Sequence, residues 1–443
     1  ADIDLAKLLR DDALSGTRAW NIVESLTTEV GPRLAGSAAE ARARNWAVET
    51  LTGYGFENVR VEPFMIEGWR RGEEVAEVVS PFPQKLAITS LGNSVATSQT
   101  GVEADVVLFD SLSSLKAVAD GALDGKIVYV GHGMQRTQDG SSYGHFVRLR
   151  SAAAIEAGRR GAAAVLIRSI GTDSHRMPHT GNMTYAGDVT PIPIAALSNP
   201  DADQIERIAA RGEPLRVKLT LTPSYTGAVQ SGNVVAELPG TDLADEFVVI
   251  GGHLDSWDLG TGAIDDGAGV GITIEVLRRI KEAGLKPRRT IRLVLWGAEE
   301  VGLLGGYAYA EKHKENLRKH VIGTESDFGA GRIWKITRSI NEDARPVADM
   351  IAQLVEPLGI VPGSTDSRSS GPDLTPLNNL GFPGFRFVQD GSDYFDLHHT
   401  PDDTLDKIDP AAMDQNVAAY LVFVWMAANS DVSDWGWLND QPG

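Results

Sequence analysis

Four segments of the chain share one pattern, in which a short apolar, β-branched run ends in polar residues. They cover residues 247–255, 290–300, 321–327 and 382–388. Such runs predict buried strands, and apolar residues at helical spacing follow the first two runs, over residues 270–280 and 301–313. Strands that alternate with helices predict an α/β fold whose mostly parallel or mixed central sheet is flanked by helices.

The pattern changes between residues 73 and 224. Short strand-like runs there cover residues 106–109, 126–130, 163–167, 192–196 and 215–221, and a helical pattern covers 151–160. This stretch reads as an inserted, β-rich domain. We therefore expect a discontinuous main domain, formed by residues 1–72 and 225–443, and an inserted domain of residues 73–224.

The composition narrows the class of protein. The chain has 443 residues, of which 42% are hydrophobic, enough for two domains with large cores. Its formal net charge of -19 argues against a nucleic-acid or anionic-membrane partner, and no apolar run is long enough to span a membrane. The absence of cysteine excludes disulfides and thiolate metal ligands. Because the chain starts at Ala1 without a methionine, we expect a removed signal peptide and a secreted or periplasmic location.

Polar side chains at and after the strand ends supply five candidate metal ligands. They are His253, Asp265, Glu300, Asp327 and His399. Ligands of open α/β sheets bind beyond the carboxyl ends of the strands, where loops from distant parts of the sequence meet. Imidazole and carboxylate ligands suit zinc, with cobalt or manganese as substitutes, and three carboxylates offset much of the charge of two divalent ions about 3.5 Å apart. Asp265, on a glycine-rich turn, is predicted to bridge the two ions.

Two further carboxylates lie close to these ligands in sequence. Asp255 follows His253 by two residues, and its carboxylate is predicted to accept a hydrogen bond from the imidazole and so fix its tautomer. Asp266 precedes the predicted helix 270–280 and is predicted to cap it.

Five motifs around these residues resemble, in order, those of a known family. They are Gly-Gly-His253-Leu-Asp255-Ser, Asp265-Asp266-Gly-Ala-Gly, Trp-Gly-Ala-Glu299-Glu300-Val-Gly-Leu-Leu-Gly, Glu-Ser-Asp327 and His399-Thr-Pro-Asp-Asp-Thr. Over most of its length the chain is similar to the co-catalytic zinc peptidases, which include bacterial leucyl aminopeptidase, carboxypeptidase Q and glutamate carboxypeptidase II. The carboxypeptidase Q branch looks most similar. The inserted stretch resembles the protease-associated domain found in such peptidases.

The resemblance implies two zinc ions per chain. The ligands would be Asp265 between the ions, His253 and Asp327 on one of them, and Glu300 and His399 on the other. The family spacing selects His399 rather than its neighbour His398. The resemblance also implies a cis peptide bond before Asp266.

The resemblance further implies that Glu299 is the general base. Its carboxylate would take a proton from a water between the two ions as that water attacks the scissile carbonyl, and would then pass the proton to the leaving amine. The implied activity is that of an exopeptidase that hydrolyses the bond next to the free N-terminus of a peptide or dipeptide.

Which end of the substrate is held stays open at this point. Asp366, Arg368 and Asp373, together with Tyr394, lie where family members place substrate-facing loops. An acidic residue would hold a free amino terminus, whereas Arg368 would suit a carboxylate. An aminopeptidase, a carboxypeptidase and a strict dipeptidase like carboxypeptidase Q share all five ligands.

Two alternatives come from other functional classes. A glutaminyl cyclase-like acyltransferase would use the same fold with one zinc ion, and a transferrin-receptor-like binding module would have the fold and the insert without catalysis. The complete set of five ligands favours two-metal catalysis over both. The oligomeric state stays open, a homodimer included.

Overall fold

The computed structural model of the chain describes residues 2–438. Its helices are α1 (Ile3–Ala13), α2 (Ala19–Glu29), α3 (Ala38–Gly53), α4 (Leu112–Lys116), α5 (Tyr143–Phe146), α6 (Leu149–Arg159), α7 (Asn199–Ala209), α8 (Ala268–Glu282), α9 (Leu304–Lys312), α10 (Arg345–Val355), α11 (Thr375–Asn379), α12 (Tyr394–Leu397) and α13 (Pro410–Ala428). A π-helical turn covers Ala263–Gly267, and short 3-10 helices cover Lys314–Lys319, Glu356–Leu358 and Leu405–Lys407.

In the described residues the strands form three sheets. The strands are β1 (Glu57–Arg70), β2 (Glu74–Ser80), β3 (Gln84–Leu86), β4 (Ile88–Ser90), β5 (Val102–Phe109), β6 (Ile127–Val130), β7 (Ala164–Arg168), β8 (Ile194–Leu197), β9 (Arg216–Leu221), β10 (Ser224–Leu238), β11 (Leu243–His253), β12 (Arg289–Trp296), β13 (His320–Glu325), β14 (Ile333–Ser339), β15 (Val361–Pro362) and β16 (Gly384–Gln389).

The sheet that positions the candidate ligands has the strand order β1-β10-β12-β11-β13. Strand β11 pairs in parallel with both β12 and β13, whereas β10 runs antiparallel to β12. The predicted mixed α/β sheet is therefore confirmed. The fourth apolar run, however, forms β16, which pairs antiparallel with β14 in a separate sheet ordered β15-β14-β16.

Burial on both faces explains why the central runs are continuously apolar. All eight residues of β12 are buried. Helices α8 and α13, which contact each other, pack against β11 and β12, and Val249 of β11 and Val294 of β12 lie in a separate core cluster with Tyr309 and Ala310 of α9. Strands covered on both faces lose the alternation of apolar and polar residues that a half-exposed strand shows.

Strand register brings the polar residues to one edge of the sheet. His253, the last residue of β11, pairs with Trp296, the last residue of β12. On the other side of β11, Gly251 pairs with Glu325, the last residue of β13. The three parallel strands therefore end together, and the residues that follow them leave the sheet at the same edge.

A second unit contains the eight-stranded sheet β3-β2-β9-β5-β6-β7-β8-β4. The five strand-like runs predicted between residues 106 and 221 overlap β5, β6, β7, β8 and β9, and α6 overlaps the predicted helix 151–160. Alternate residues of β6 and β7 enter two different cores: Ile127 and Leu166 face one, and Val128 and Ile167 face the other. Strands β2, β3 and β4 had not been predicted.

The division of the chain differs from the predicted boundaries. One unit consists of the stretch that ends at Ile66, Gln230–Gly391, and the stretch that begins at Asp403; the other consists of Glu67–Val229 and Ser392–Asp402. Residues 392–402 had been placed in the main domain, because the motif at His399 follows a main-domain strand. Hydrogen bonds within the second unit explain the difference: Thr172 N donates to the Phe395 carbonyl at 3.1 Å, and Arg136 donates to the Asp396 carboxylate at 2.7 Å.

Helix α13 is the most apolar helix of the fold, and sixteen of its nineteen residues are buried. Across residues 2–438, no helix has both the length and the apolar character that crossing a membrane requires.

Candidate functional site

The candidate site is built around the imidazole of His253. Its Nε2 lies 3.0 Å from Asp265 Oδ1, 3.8 Å from Asp327 Oδ1 and 3.9 Å from Glu299 Oε2. A ligand atom of Glu300 lies within 4.8 Å of ligand atoms of both His253 and Glu299. The structure therefore brings together Glu299, the predicted general base, and four of the five predicted metal ligands.

The tautomer of His253 is fixed by a backbone group. Nδ1 donates to the Asp255 carbonyl oxygen at 2.9 Å, whereas the Asp255 carboxylate lies 3.7 Å from Nδ1, too far for a hydrogen bond. The prediction that the carboxylate is the acceptor was therefore wrong, because the backbone carbonyl of Asp255 lies closer to Nδ1 than its carboxylate does. In the neutral imidazole, Nε2 is then the nitrogen that bears the lone pair, and it faces the acidic cluster.

The Asp255 carboxylate instead holds the segment after β12. Its two oxygens accept from the backbone N–H groups of Glu299 at 3.0 Å and Glu300 at 3.2 Å. Ala298, just before them, has a φ of 55°, a left-handed conformation that L residues adopt only where the surroundings hold it. Asp255 thus fixes the backbone from which the predicted base and a predicted ligand project.

Asp266 has the capping role that the sequence predicts. Its Oδ1 accepts from Gly269 N at 3.1 Å, at the start of α8, and its Oδ2 accepts from His253 N at 3.0 Å. The peptide bond between Asp265 and Asp266 is cis, as the resemblance implied. A Cβ at Gly252 or Gly269 would lie 2.5 Å or less from an Asp266 oxygen, so glycine is required at both positions.

Two residues that sequence reasoning missed hold the loop of Asp265. The Asp403 carboxylate accepts from Ile264 N at 2.6 Å and from Asp265 N at 3.3 Å. The fully buried guanidinium of Arg33 donates to the carbonyls of Leu254, Thr261 and Gly262 at 2.5 to 2.8 Å. Asp403 lies within the His399 motif and could have been noticed there, whereas nothing in the local sequence of Arg33 indicates its partners more than 220 residues away.

The site concentrates buried negative charge. Burial by itself would lower the pKa of His253, but the contact with Asp265 and the charges of Glu299 and Asp327 raise that pKa well above its ordinary value. For the carboxyl groups of Glu299 and Glu300, burial acts in the opposite direction and is the largest cause of their raised pKa values. Repulsion from the neighbouring carboxylates raises these pKa values further. The positive charge of one imidazole is therefore too small to offset the charges of all the carboxylates in the cluster.

The donor set fits divalent metal ions. His253 forms one group of close ligand atoms with Glu299 and Glu300 and a second group with Asp266 and Asp327. Buried imidazole and carboxylate donors without thiolate are typical of zinc, cobalt or manganese sites. Metal cations would also offset the repulsion among the carboxylates.

The predicted substrate residues have different environments. Asp366 is exposed and accepts a hydrogen bond from Ser364. Arg368 is half-buried and donates to the carbonyls of Gly381 and Phe382 at 3.3 and 3.4 Å.

Asp373, predicted to lie on the same loop, is fully buried. Its backbone N–H donates to the Glu325 carboxylate at 2.9 Å. Burial, followed by the charge of Glu325, raises the pKa of Asp373 well above its ordinary value. Its surroundings are those of a buried carboxyl pair rather than of an open loop.

His399 and Tyr394 belong to the second unit. Both side chains are buried, and His399 Nδ1 lies 3.1 Å from the Thr180 carbonyl oxygen. Because a carbonyl only accepts, Nδ1 donates, and Nε2 is the nitrogen that bears the lone pair. Tyr394 stacks edge-on against Phe395, with ring centroids 4.9 Å apart.

Comparison with known proteins identifies relatives along almost the whole chain. The family model described as peptidase family M28 matches residues 233–424. Human carboxypeptidase Q is 35% identical over 431 residues, which cover 97% of this chain and 89% of that protein. These matches confirm the resemblance that the five motifs had indicated.

Solved structures show the same fold. The structure of a peptidase M28 precursor from Shewanella amazonensis SB2B is 48% identical and superposes with a TM-score of 0.96, covering 99% of both chains. BSAP, a zinc aminopeptidase from Bacillus subtilis, is 20% identical with a TM-score of 0.68, covering 95% of this chain and 97% of that one.

In metal-free protein, Asp403 should make the fold less stable as the pH rises. Burial and the nearby charge of Asp265 raise its pKa from 3.8 to about 7. Between these two values the unfolded chain releases the proton while the folded chain keeps it, so the free energy of unfolding falls by up to about 1.4 kcal/mol per pH unit.

Urea denaturation of chelator-treated wild type and of Asp403→Asn, between about pH 5 and about pH 7, measures this effect. The variant cannot titrate at this position, so wild type should lose stability relative to it as the pH rises. A stability difference that stays constant across that range would contradict the raised pKa.

Proposed function

The chain belongs to peptidase family M28, and we propose that it is a zinc-dependent exopeptidase that hydrolyses the peptide bond next to the free N-terminus of peptides or dipeptides. The observation that supports this most is the cluster of Asp265, Glu299, Glu300 and Asp327 around His253 Nε2. A buried cluster of this composition combines metal ligands with a carboxylate base.

We propose that the chain holds two zinc ions. Asp265 would lie between them, His253 and Asp327 would complete one ligand set, and Glu300 and His399 the other. The backbone contacts of Asp403 and Arg33 support this role for Asp265, because they fix the turn from which its carboxylate projects. Zinc in such a site supplies Lewis acidity, which polarises the scissile carbonyl and acidifies water.

Glu299 would act as the general base. Its carboxylate lies 3.9 Å from His253 Nε2 and keeps some exposure, at 15% of the side chain, so a substrate and a water can reach it. The hydrogen bond from its backbone N–H to Asp255 holds the backbone from which the Glu299 side chain projects. Glu299 would accept a proton from the attacking water and donate it to the leaving amine.

The end of the substrate that is bound decides between two forms of this function. An aminopeptidase would act on peptides of various lengths, whereas a dipeptidase like the relative named carboxypeptidase Q would require both termini free. Asp366 and Arg368, of opposite charge, would contact the two termini, and Asp373 and Tyr394 would shape the site from buried positions. Membership of a peptidase family favours peptide hydrolysis over the cyclase-like and binding-module alternatives.

Two further expectations stay predictions. They are a secreted or periplasmic location and assignment of the inserted unit to the protease-associated class. The oligomeric state stays open, a homodimer included. The second unit, with its eight-stranded sheet, supports only its description as a β-rich insert.

Mass spectrometry of peptide products tests the proposed reaction. Matched dipeptides and longer peptides, each with free, N-acetylated or C-amidated ends, are incubated with zinc-loaded enzyme, with and without a chelator. We expect the enzyme to release the N-terminal residue, and we expect N-acetylation of the peptide or chelation of the zinc to abolish this release. Cleavage confined to dipeptides with two free ends would identify the dipeptidase form, and no cleavage of any peptide would contradict the exopeptidase function.

Substitution of the base should separate catalysis from metal binding. Glu299→Gln removes the proton acceptor at nearly constant size, and we expect kcat to fall about 10²- to 10⁴-fold. The zinc content should stay close to that of wild type, because Glu299 is not a predicted ligand.

Glu300→Gln is the matched control at the neighbouring position. It should lower the zinc content as well as kcat, which elemental analysis of the dialysed protein measures. A Glu299→Gln enzyme with nearly wild-type kcat would contradict the role of Glu299 as the base.

A further inference from the structure

The segment that bears His399 is attached at several points to other parts of its own unit. Near its start, Arg136 donates to the Asp396 carboxylate at 2.7 and 2.9 Å, and Thr172 Oγ1 donates to the same carboxylate at 2.7 Å. Thr172 N donates to the Phe395 carbonyl at 3.1 Å. The segment is therefore held in place by residues of the insert before the chain reaches the histidines.

At the histidines, Thr180 contacts His399 twice. Its backbone N–H donates to the His399 carbonyl at 3.0 Å, and its own carbonyl accepts from His399 Nδ1 at 3.1 Å. His399 has a φ of 62°, a left-handed conformation that a non-glycine residue keeps only where its surroundings fix it. Thr180 thus fixes both the backbone and the ring orientation of His399.

His179, the residue before Thr180, completes the attachment. Its fully buried imidazole lies with Nδ1 2.6 Å from the His398 carbonyl oxygen and Nε2 2.6 Å from Asp173 Oδ1. Its backbone N–H donates to Ser169 Oγ at 2.9 Å. The carbonyl of His398 can only accept, so Nδ1 of His179 donates to it.

We propose that His179 is a positioning residue: with the backbone of Thr180 it holds the turn at His398 and His399 so that the His399 imidazole is oriented to bind a metal ion. This inference rests on the proposed function, in which His399 is a zinc ligand. It assigns the insert a task in metal binding, because the residues that orient this ligand come from the insert. Groups that orient a metal-binding histidine typically change metal affinity about 10- to 100-fold when they are removed.

Two substitutions of His179 separate positioning from general stability. The amide nitrogen of His179→Asn replaces Nδ1 and can still donate to the His398 carbonyl, whereas that of His179→Gln replaces Nε2 and can reach only towards Asp173. Each variant loses one of the two buried contacts. Zinc titrations of the full-length apo-protein by isothermal calorimetry measure the number and the affinity of the bound ions.

We expect His179→Gln to bind one of its two zinc ions about 10- to 100-fold more weakly than wild type. His179→Asn should bind both ions with nearly wild-type affinity. His175→Gln, at an exposed position of the same insert, is the matched control and should behave like wild type. Equal weakening in the Asn and Gln variants would mean that His179 only stabilises the insert, and would overturn the proposal.

Arg136→Met is a second test if His179→Gln does not fold. It removes a half-exposed contact at the start of the same segment, and we expect weaker binding of the same zinc ion. Unchanged affinity in every folded variant of His179 and Arg136 would overturn the proposal.

His399→Ala separates this inference from the proposed function. Wild type should bind two ions and His399→Ala only one. If wild type does not bind two ions, or if His399→Ala still does, the proposed ligand set fails and the inference fails with it. If both results are as expected but His179→Gln binds like wild type, only the inference fails.

Discussion

Burial of several carboxylates around one imidazole is the constraint on which the catalytic unit depends. Asp265, Glu299 and Asp327 lie within 3.9 Å of His253 Nε2. Burial, with added repulsion from the neighbouring carboxylates, raises the pKa of Glu299 well above its ordinary value. A folded chain keeps such a cluster only where other groups fix it and positive charge offsets it. The surrounding backbone supplies the first condition, and bound divalent cations would supply the second.

The fold meets the positional condition mainly with backbone hydrogen bonds. The parallel strands β11, β12 and β13 end at one edge, and carboxylates then hold the loops beyond that edge. The Asp255 carboxylate accepts from the backbone N–H groups of Glu299 and Glu300. Asp266 joins His253 to the start of α8, and Asp403 accepts from the backbone at Asp265. These carboxylates accept from backbone N–H groups that have no partner in a neighbouring strand. The same hydrogen bonds therefore satisfy the backbone donors and hold the proposed ligands in place.

The predictable part of the site follows from local sequence. Apolar runs that stop at His253, before Glu299 and before Asp327 mark the ends of buried strands, and parallel strands must place those ends together. Arg33 could not be predicted, because its contacts with Leu254 and Gly262 exist only after distant segments pack. Sheet membership and unit boundaries also depend on contacts between distant segments. For this reason residues 392–402 were predicted to belong to the main domain, and β16 was predicted to belong to the central sheet.

Anomalous scattering at the zinc edge from crystals of zinc-loaded protein tests the central claim most directly. The account predicts two peaks about 3.5 Å apart on either side of the Asp265 carboxylate. One should lie within bonding distance of His253 and Asp327, and the other within bonding distance of Glu300. A single peak, or peaks away from the carboxylate cluster, would contradict a two-metal centre at this edge of the sheet.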